Sequence, residues 1–211
     1  MPSPTSGVVL PREFYARDPK VVACELLNKV LVRDDRSARI VEVEAYCGEI
    51  DPGSHAFRGI TKRNATMFGP AGHLYVYFTY GMHWCANAVC GDIDEGVAVL
   101  LRAATPLTGL DEMRRARGAA AKRDRDLCSG PAKLCQAFGL DRVHDGADLV
   151  TGDHGVVIVD DGVAPPRRPG NSVRIGLSAG ADHPWRWYVE GDPNVSVLTP
   201  RRGSRTRASR S

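Results

Sequence analysis

Residues 39–46, Arg-Ile-Val-Glu-Val-Glu-Ala-Tyr, carry the period-two alternation of a β-strand. Alternation puts Val41, Val43 and Ala45 on one face and Glu42, Glu44 and Tyr46 on the other. The apolar face belongs on a core. The other face gathers two carboxylates and an aromatic ring. Facing water, it is an ordinary strand surface. Facing a cleft, it is a general base beside a ring that can stack on something flat.

The rest of the chain is consistent with one α+β domain. Asp18-Pro19 has the form of an N-cap with proline in the first turn, opening a helix to about Asn28. Residues 47–72 are rich in Gly, Pro, Asp and Arg and read as a long loop, a length that in a compact domain usually serves function. Within it stand His55, Arg58, Lys62, Arg63 and Asn64. Residues 73–80, aromatic and β-branched, and 83–90 form a hairpin around Gly81, with Tyr80 and Met82 at its tip. Residues 97–102 read as a strand that ends at Arg102. Thr108 with Asp111 suits a helix start, and Ser129-Gly130-Pro131 opens a second helix that stops at Gly139. Short strands are expected near 173–177, 186–190 and 195–198. Strands early and late with helices between them indicate α+β rather than alternating β-α units.

Composition excludes several classes. The chain has 211 residues, 43% apolar and 25% charged, which suits a globular domain and excludes a collagen or coiled-coil chain. No run of 18 apolar residues and no leader pattern is present, so a cytoplasmic protein without a membrane span is expected. Six cysteines lack Cys-x-x-Cys spacing, so reduced thiols and no metal site are expected. The net charge of +3 hides an asymmetry. Residues 201–211 hold five arginines and no acid. That tail is expected to be disordered and weakly attracted to phosphates, and residues 1–12 are expected to be flexible. The domain itself is expected over 13–200.

Each remaining site candidate has a plain alternative. Tyr75 and Tyr77 share one strand face, as core residues or cross-strand pairs. A tyrosine at the tip beside Gly81 suits insertion into a base stack, since chemistry on a duplex base requires its extrusion. Arg102 either reaches solvent or pairs with a carboxylate.

Arg39-Ile-Val-Glu-Val-Glu-Ala-Tyr46, Met67-Phe68, Leu74-Tyr-Val-Tyr77, Tyr80-Gly-Met82, Leu100-Leu-Arg-Ala103 and Leu127-Cys-Ser-Gly-Pro-Ala-Lys-Leu-Cys135 together resemble the alkyladenine (3-methyladenine) DNA glycosylase family. The order and spacing of these six segments extend the resemblance over about residues 15–198. The Gly69-Pro-Ala-Gly72 stretch departs from the lysine-bearing version of some members.

The resemblance implies a fold and a function. The fold is a single mixed domain around a curved antiparallel sheet, without a helix-hairpin-helix. The function is monofunctional base excision, with no cofactor, on double-stranded DNA containing damaged purines, by a monomer that is nucleoid-associated if the source is bacterial. Glu44 then corresponds to the base that activates water, and Arg102 to the arginine holding that water. Tyr46 and Tyr77 correspond to rings sandwiching the extruded purine, with His55 beside them. Asn87 corresponds to the residue that disfavours normal guanine. Tyr80, flanked by Met82, corresponds to the residue inserted into the DNA stack. A backbone carbonyl near Ile175 would complete the water site. Alkylation at purine N3 or N7 makes the base cationic, and tyrosine faces attract such a cation. Glu42 is then either structural or a like charge that raises the proton affinity of Glu44.

Other classes fit parts of the pattern. A lesion-binding protein would use the rings without the base. A free-nucleoside hydrolase would use Glu42 and Glu44. A lyase would need a nucleophilic amine, for which Lys62 and Lys133 are the candidates.

Overall fold

The structure, a computed structural model, describes residues 7–79 and 81–196. Tyr80 and the basic tail 201–211 lie outside the described residues, as do residues 1–6. The elements in chain order are β1 (Val8–Val9), α1 (Arg12–Tyr15), α2 (Pro19–Leu26), β2 (Val30–Arg33), β3 (Arg36–Cys47), β4 (Leu74–Thr79), β5 (His83–Cys90) and β6 (Val97–Thr108). After these come α3 (Leu110–Arg117), α4 (Pro131–Phe138), β7 (Val156–Asp160), β8 (Gly170–Ser172) and β9 (Arg186–Tyr188).

The strands make one antiparallel sheet in the order β1-β7-β2-β3-β6-β5-β4, with β9 also pairing β3 and β8 pairing β9. The sheet curls into a half-barrel with the helices around it, so the mixed α+β architecture is observed. β3 is its axis. Its first half lies between β2 and β6, and its second half, Glu42–Glu44, lies between β9 and β6.

Local chemistry sets the ends of α2 and α4 where expected, whereas α3 starts after Gly109 with no side-chain cap, because Thr108 ends β6 and donates to the Asp35 carbonyl. The Asp18 side chain accepts from Lys20 N at 2.7 Å and Pro19 opens α2. α4 starts after Gly130 and stops at Gly139, whose left-handed backbone suits a residue without Cβ. Ile40, Val43 and Ala45 on β3, Val99 and Leu101 on β6, Ala86 and Ala88 on β5, and Leu74 and Val76 on β4 meet Leu134, Ala137 and Phe138 of α4 in the main core.

Several strand boundaries differ from expectation. β6 runs on to Thr108, because β3 begins at Arg36 and offers partners Ser37–Ile40 to Ala104–Thr108. Arg102 is therefore mid-strand, not terminal. No strand forms at 173–177, where Arg174 and Ile175 spend their donors on other partners. Residues 195–196 are not a strand either, and 197–198 lie outside the described residues. Val8–Val9, inside the segment expected to be flexible, pairs with β7, and Leu10 is buried.

Candidate active site

The second face of the sheet is not a solvent face. Cross-strand registers place Glu44 beside Leu100, Leu100 beside Asn87 and Asn87 beside Tyr75, one row across four strands. Tyr46 pairs with Ala98 in the next row, and Tyr77 with Cys85. The β3–β6 register slips on both sides of Glu42, so Val41 and Arg102 have no partner in the ladder. Such bulges re-aim side chains. Here the result is a guanidinium directed between two carboxylates.

Glu42 and Glu44 are both fully buried. Glu44 Oε1 accepts the Ile175 backbone N–H at 2.7 Å and lies 3.2 Å from Arg102 Nη1. Its Oε2 accepts the Tyr46 hydroxyl at 2.9 Å. A carboxylate has about four lone-pair sites, so one remains for a water. Glu42 is bound by four donors. Its Oε1 accepts from Arg102 Nε (2.8 Å), Arg186 Nε (2.7 Å) and Ser196 Oγ (2.8 Å), and its Oε2 accepts Ser196 N (2.6 Å). Burial pushes the Glu42 carboxyl up, but Arg102 and Arg186 outweigh it and hold the group below the usual carboxylate range. Burial pulls the Arg102 pKa down, and Glu44 and Glu42 more than offset that, so it lies above its ordinary value. The Tyr46 phenol is pushed well up by burial and then by Glu44, so it stays a donor.

A small cavity of about 60 Å³ opens beside this cluster. It is lined by Tyr46, His55, Tyr75, Tyr77, Asn87 and Leu177, among others, so the sequence candidates for base contact converge on one place. The much larger cleft of about 660 Å³, between the start of α2 and residues 91–97, contains none of them. The Tyr75 and Tyr77 rings stack at 5.4 Å, and the His55 ring meets Tyr77 edge-on at 4.5 Å. His55 Nδ1 lies 3.1 Å from the Tyr75 hydroxyl. Burial, then Arg63, lowers the His55 pKa, so the ring is neutral at pH 7. Asn87 donates to the Tyr75 carbonyl at 3.1 Å.

The long loop contains two short 3-10 turns, Gly48–Ile50 and Ala65–Phe68, and is held largely by side chains. Asn64 is buried; its Nδ2 donates to the His55 carbonyl (2.8 Å) and the Gly59 carbonyl (3.1 Å), and its Oδ1 accepts Thr61 N (2.6 Å). Asp51 and Arg174, both without side-chain exposure, form a two-pronged ion pair at 2.5 and 2.6 Å. The Arg174 guanidinium lies 4.7 Å from the Tyr46 ring centroid and 5.1 Å from that of Trp185. Gly53 passes so close that a Cβ there would meet Arg174 Nη2 and Leu177 at 2.8 Å.

These contacts include partners that inspection of the sequence did not single out. Arg186, Asp51 and Arg174 belong to the site, and Tyr75 is a wall of it. Arg174 and Arg186 stand in segments expected to be short strands, with no local pattern that announces a buried arginine. At Ile175 the contact seen is made by the backbone N–H, which donates to Glu44. Met82 lies at the hairpin tip and is 68% exposed. Lys62 and Lys133 do not line the cavity, and Lys133 Nζ binds Ser129 Oγ at 3.3 Å. Among the described residues, no group of three His, Cys, Asp or Glu side chains is placed to hold a metal ion. No helix among them is long and apolar enough to cross a membrane.

The profile of a family described as Methylpurine-DNA glycosylase (MPG) matches residues 13–193. The chain belongs to that family. As a methylpurine-DNA glycosylase family member it is a hydrolase, a DNA glycosylase of base excision repair. It is 55% identical over 200 residues to a protein of Burkholderia cenocepacia (strain HI2424) named "Putative 3-methyladenine DNA glycosylase", covering 94% of this chain and 96% of the relative. Proteins with the same name in Burkholderia lata and Streptomyces avermitilis are 57% and 47% identical, covering 93% and 92% of this chain and 95% and 94% of those relatives.

Proposed function

We propose that this glycosylase extrudes alkylated or deaminated purines from duplex DNA and hydrolyses their N-glycosidic bond with a water activated by Glu44. The observation that carries the reading is Glu44 itself. It is a fully buried carboxylate, held by three donors, with one lone-pair site free, beside an aromatic-lined cavity. In the proposed step the water oxygen bonds to the anomeric carbon and the carbon–nitrogen bond breaks. The electron pair leaves with the base, and the water proton passes to Glu44. A cationic alkylpurine leaves as a neutral molecule, so it needs no acid. Arg102 holds the water, and the Ile175 carbonyl is proposed as its second contact.

Tyr46 and Tyr77 serve as the rings around the base. Arg174 covers one face of Tyr46, which leaves the other for the base. His55 and Asn87 read its edge. The cavity has room for about two waters, so the His55 and Tyr77 rings must move apart as a base enters. Tyr80 and Met82 fill the gap left in the stack. Free nucleosides supply no stack to fill and no phosphates to hold, so duplex DNA is the favoured substrate.

Glu44→Gln keeps the shape and removes the base. With a duplex bearing one 3-methyladenine or hypoxanthine, single-turnover excision is expected to fall by at least about 100-fold while lesion binding persists. Excision by Glu44→Gln at the wild-type rate would reject the mechanism.

A further inference from the structure

Two carboxylates with no side-chain exposure lie two residues apart on one strand face, and Arg102 reaches both, at 2.8 Å (Glu42) and 3.2 Å (Glu44). One guanidinium neutralises one carboxylate. A second buried negative charge would carry a large desolvation cost. The missing positive charge comes from β9. Arg186, 2% exposed, faces Glu44 in the strand register, yet its Nε turns to Glu42 at 2.7 Å. Its Nη1 is fixed by Ser172 Oγ at 2.8 Å, and its guanidinium carbon lies 4.7 Å from the Tyr188 ring centroid. The four side chains sum to zero charge.

Building on the base-excision reading above, we propose that Arg186 is a positioning residue for that reaction. It acts through Glu42, neutralising it so that Arg102 is left to serve Glu44 and its water. Glu42 becomes the anchor of Arg102 rather than a second base. β9 and the 196 region thereby become part of the catalytic architecture although neither touches the base cavity.

The charged and titratable groups around Glu44 are few. Its own strand supplies Glu42 and Tyr46, β6 supplies Arg102, and β9 supplies Arg186. The segment after β8 supplies Arg174, and β4 and β5 supply Tyr77 and Cys85. The tyrosines and the cysteine are held protonated by burial, so its charge environment is set by Glu42 with its two arginines and by Arg174, which is itself paired with Asp51. Removing the charge of Arg186 leaves the cluster one negative charge in excess. Arg102 is drawn toward Glu42, and protonation of Glu44 becomes easier.

The test is the pH profile of single-turnover base release from a lesion duplex by the full chain. Arg186→Gln should move the acid limb to higher pH by about one unit or more, the scale of one nearby charge. Arg186→Lys keeps the charge and should return the limb toward the wild-type position even if the plateau is lower. The double variant Glu42→Gln/Arg186→Gln is neutral again and should also restore it. If Arg186→Gln does not fold, Glu42→Gln carries the test with opposite sign, its limb moving to lower pH. A lower plateau with an unmoved limb in these variants would reduce Arg186 to a packing residue and overturn the proposal. Absence of base release by the wild-type protein would instead reject the base-excision reading itself.

Discussion

Asp51→Ala isolates the contribution of the long loop's anchor. Asp51 and Arg174 have no side-chain exposure and pair at 2.5 and 2.6 Å. The same carboxylate accepts Cys47 N at 3.1 Å and Gly53 N at 2.9 Å. Alanine leaves Arg174 its two carbonyl acceptors, Ala45 and Gly180, but no counter-charge. Stranding one member of a buried pair costs about 3–5 kcal/mol. Two amides also lose their acceptor, at about 1–3 kcal/mol each where water cannot replace it. These terms overlap, so a loss of about 4–6 kcal/mol is expected. A domain with about 10 kcal/mol in hand would remain folded but melt about 10–20 °C lower. Urea denaturation at pH 7, followed by tryptophan fluorescence, measures it. Asp51→Asn, which keeps an acceptor and removes the charge, should fall between. Excision should drop further than stability alone requires, because Ile175, next to Arg174, holds Glu44 through its N–H. A loss under about 1 kcal/mol would mean that the pair is hydrated, and the argument from burial would fail.

Two further outcomes are expected. Burial raises the carboxyl pKa of Asp51 and of Glu42, and the arginines more than reverse it, so both lie below the ordinary range when folded. Their contribution is fully present above the unfolded carboxyl pKa and is lost as pH falls through the depressed values. Urea midpoints should therefore fall most steeply below about pH 4, after a shallower decline below about pH 7 where His55, held neutral in the fold, takes up a proton on unfolding; a decline between pH 7 and 5 as steep as that below pH 4 would contradict this assignment. Tyr80→Ser should lower excision from a paired duplex more than from a mismatched one, where extrusion is already cheaper. Equal losses in single-turnover assays of the two duplexes would remove Tyr80 from the insertion role.

The parts of the fold legible in the sequence were those set by local chemistry. Alternation announces β3, β4 and β5, and Asp18-Pro19 and Gly139 announce helix ends that the backbone adopts. β7, Val156-Val-Ile-Val-Asp160, carries a different signal, a short β-branched run after Gly155, with Val157 its only partly exposed valine. Period-two reading passes over such a strand. Residues 173–177 look like a strand by composition but do not pair, because Arg174 turns inward to Asp51 and the Ile175 N–H is taken by Glu44. The site divides in the same way. Glu44, Tyr46, His55, Tyr77, Asn87 and Arg102 stand in recognisable segments. Arg186 and Arg174 act across separations of 144 and 123 residues, and only the folded sheet chooses their partners.

β3 therefore carries two carboxylates whose chemistry the strand itself cannot distinguish. Alternation gives Glu42 and Glu44 the same face and the same burial. Their difference comes from what the rest of the chain brings to each. Two guanidiniums and Ser196 bring four donors to Glu42, which then holds an arginine rather than a proton. Glu44 receives one backbone N–H, one phenol and a longer contact from the shared arginine, and keeps a lone pair open. The slips in the β3–β6 ladder let Arg102 reach both. A regular ladder would pair Arg102 with a single β3 residue on that face, and the arginine that binds the anchor would no longer reach the base.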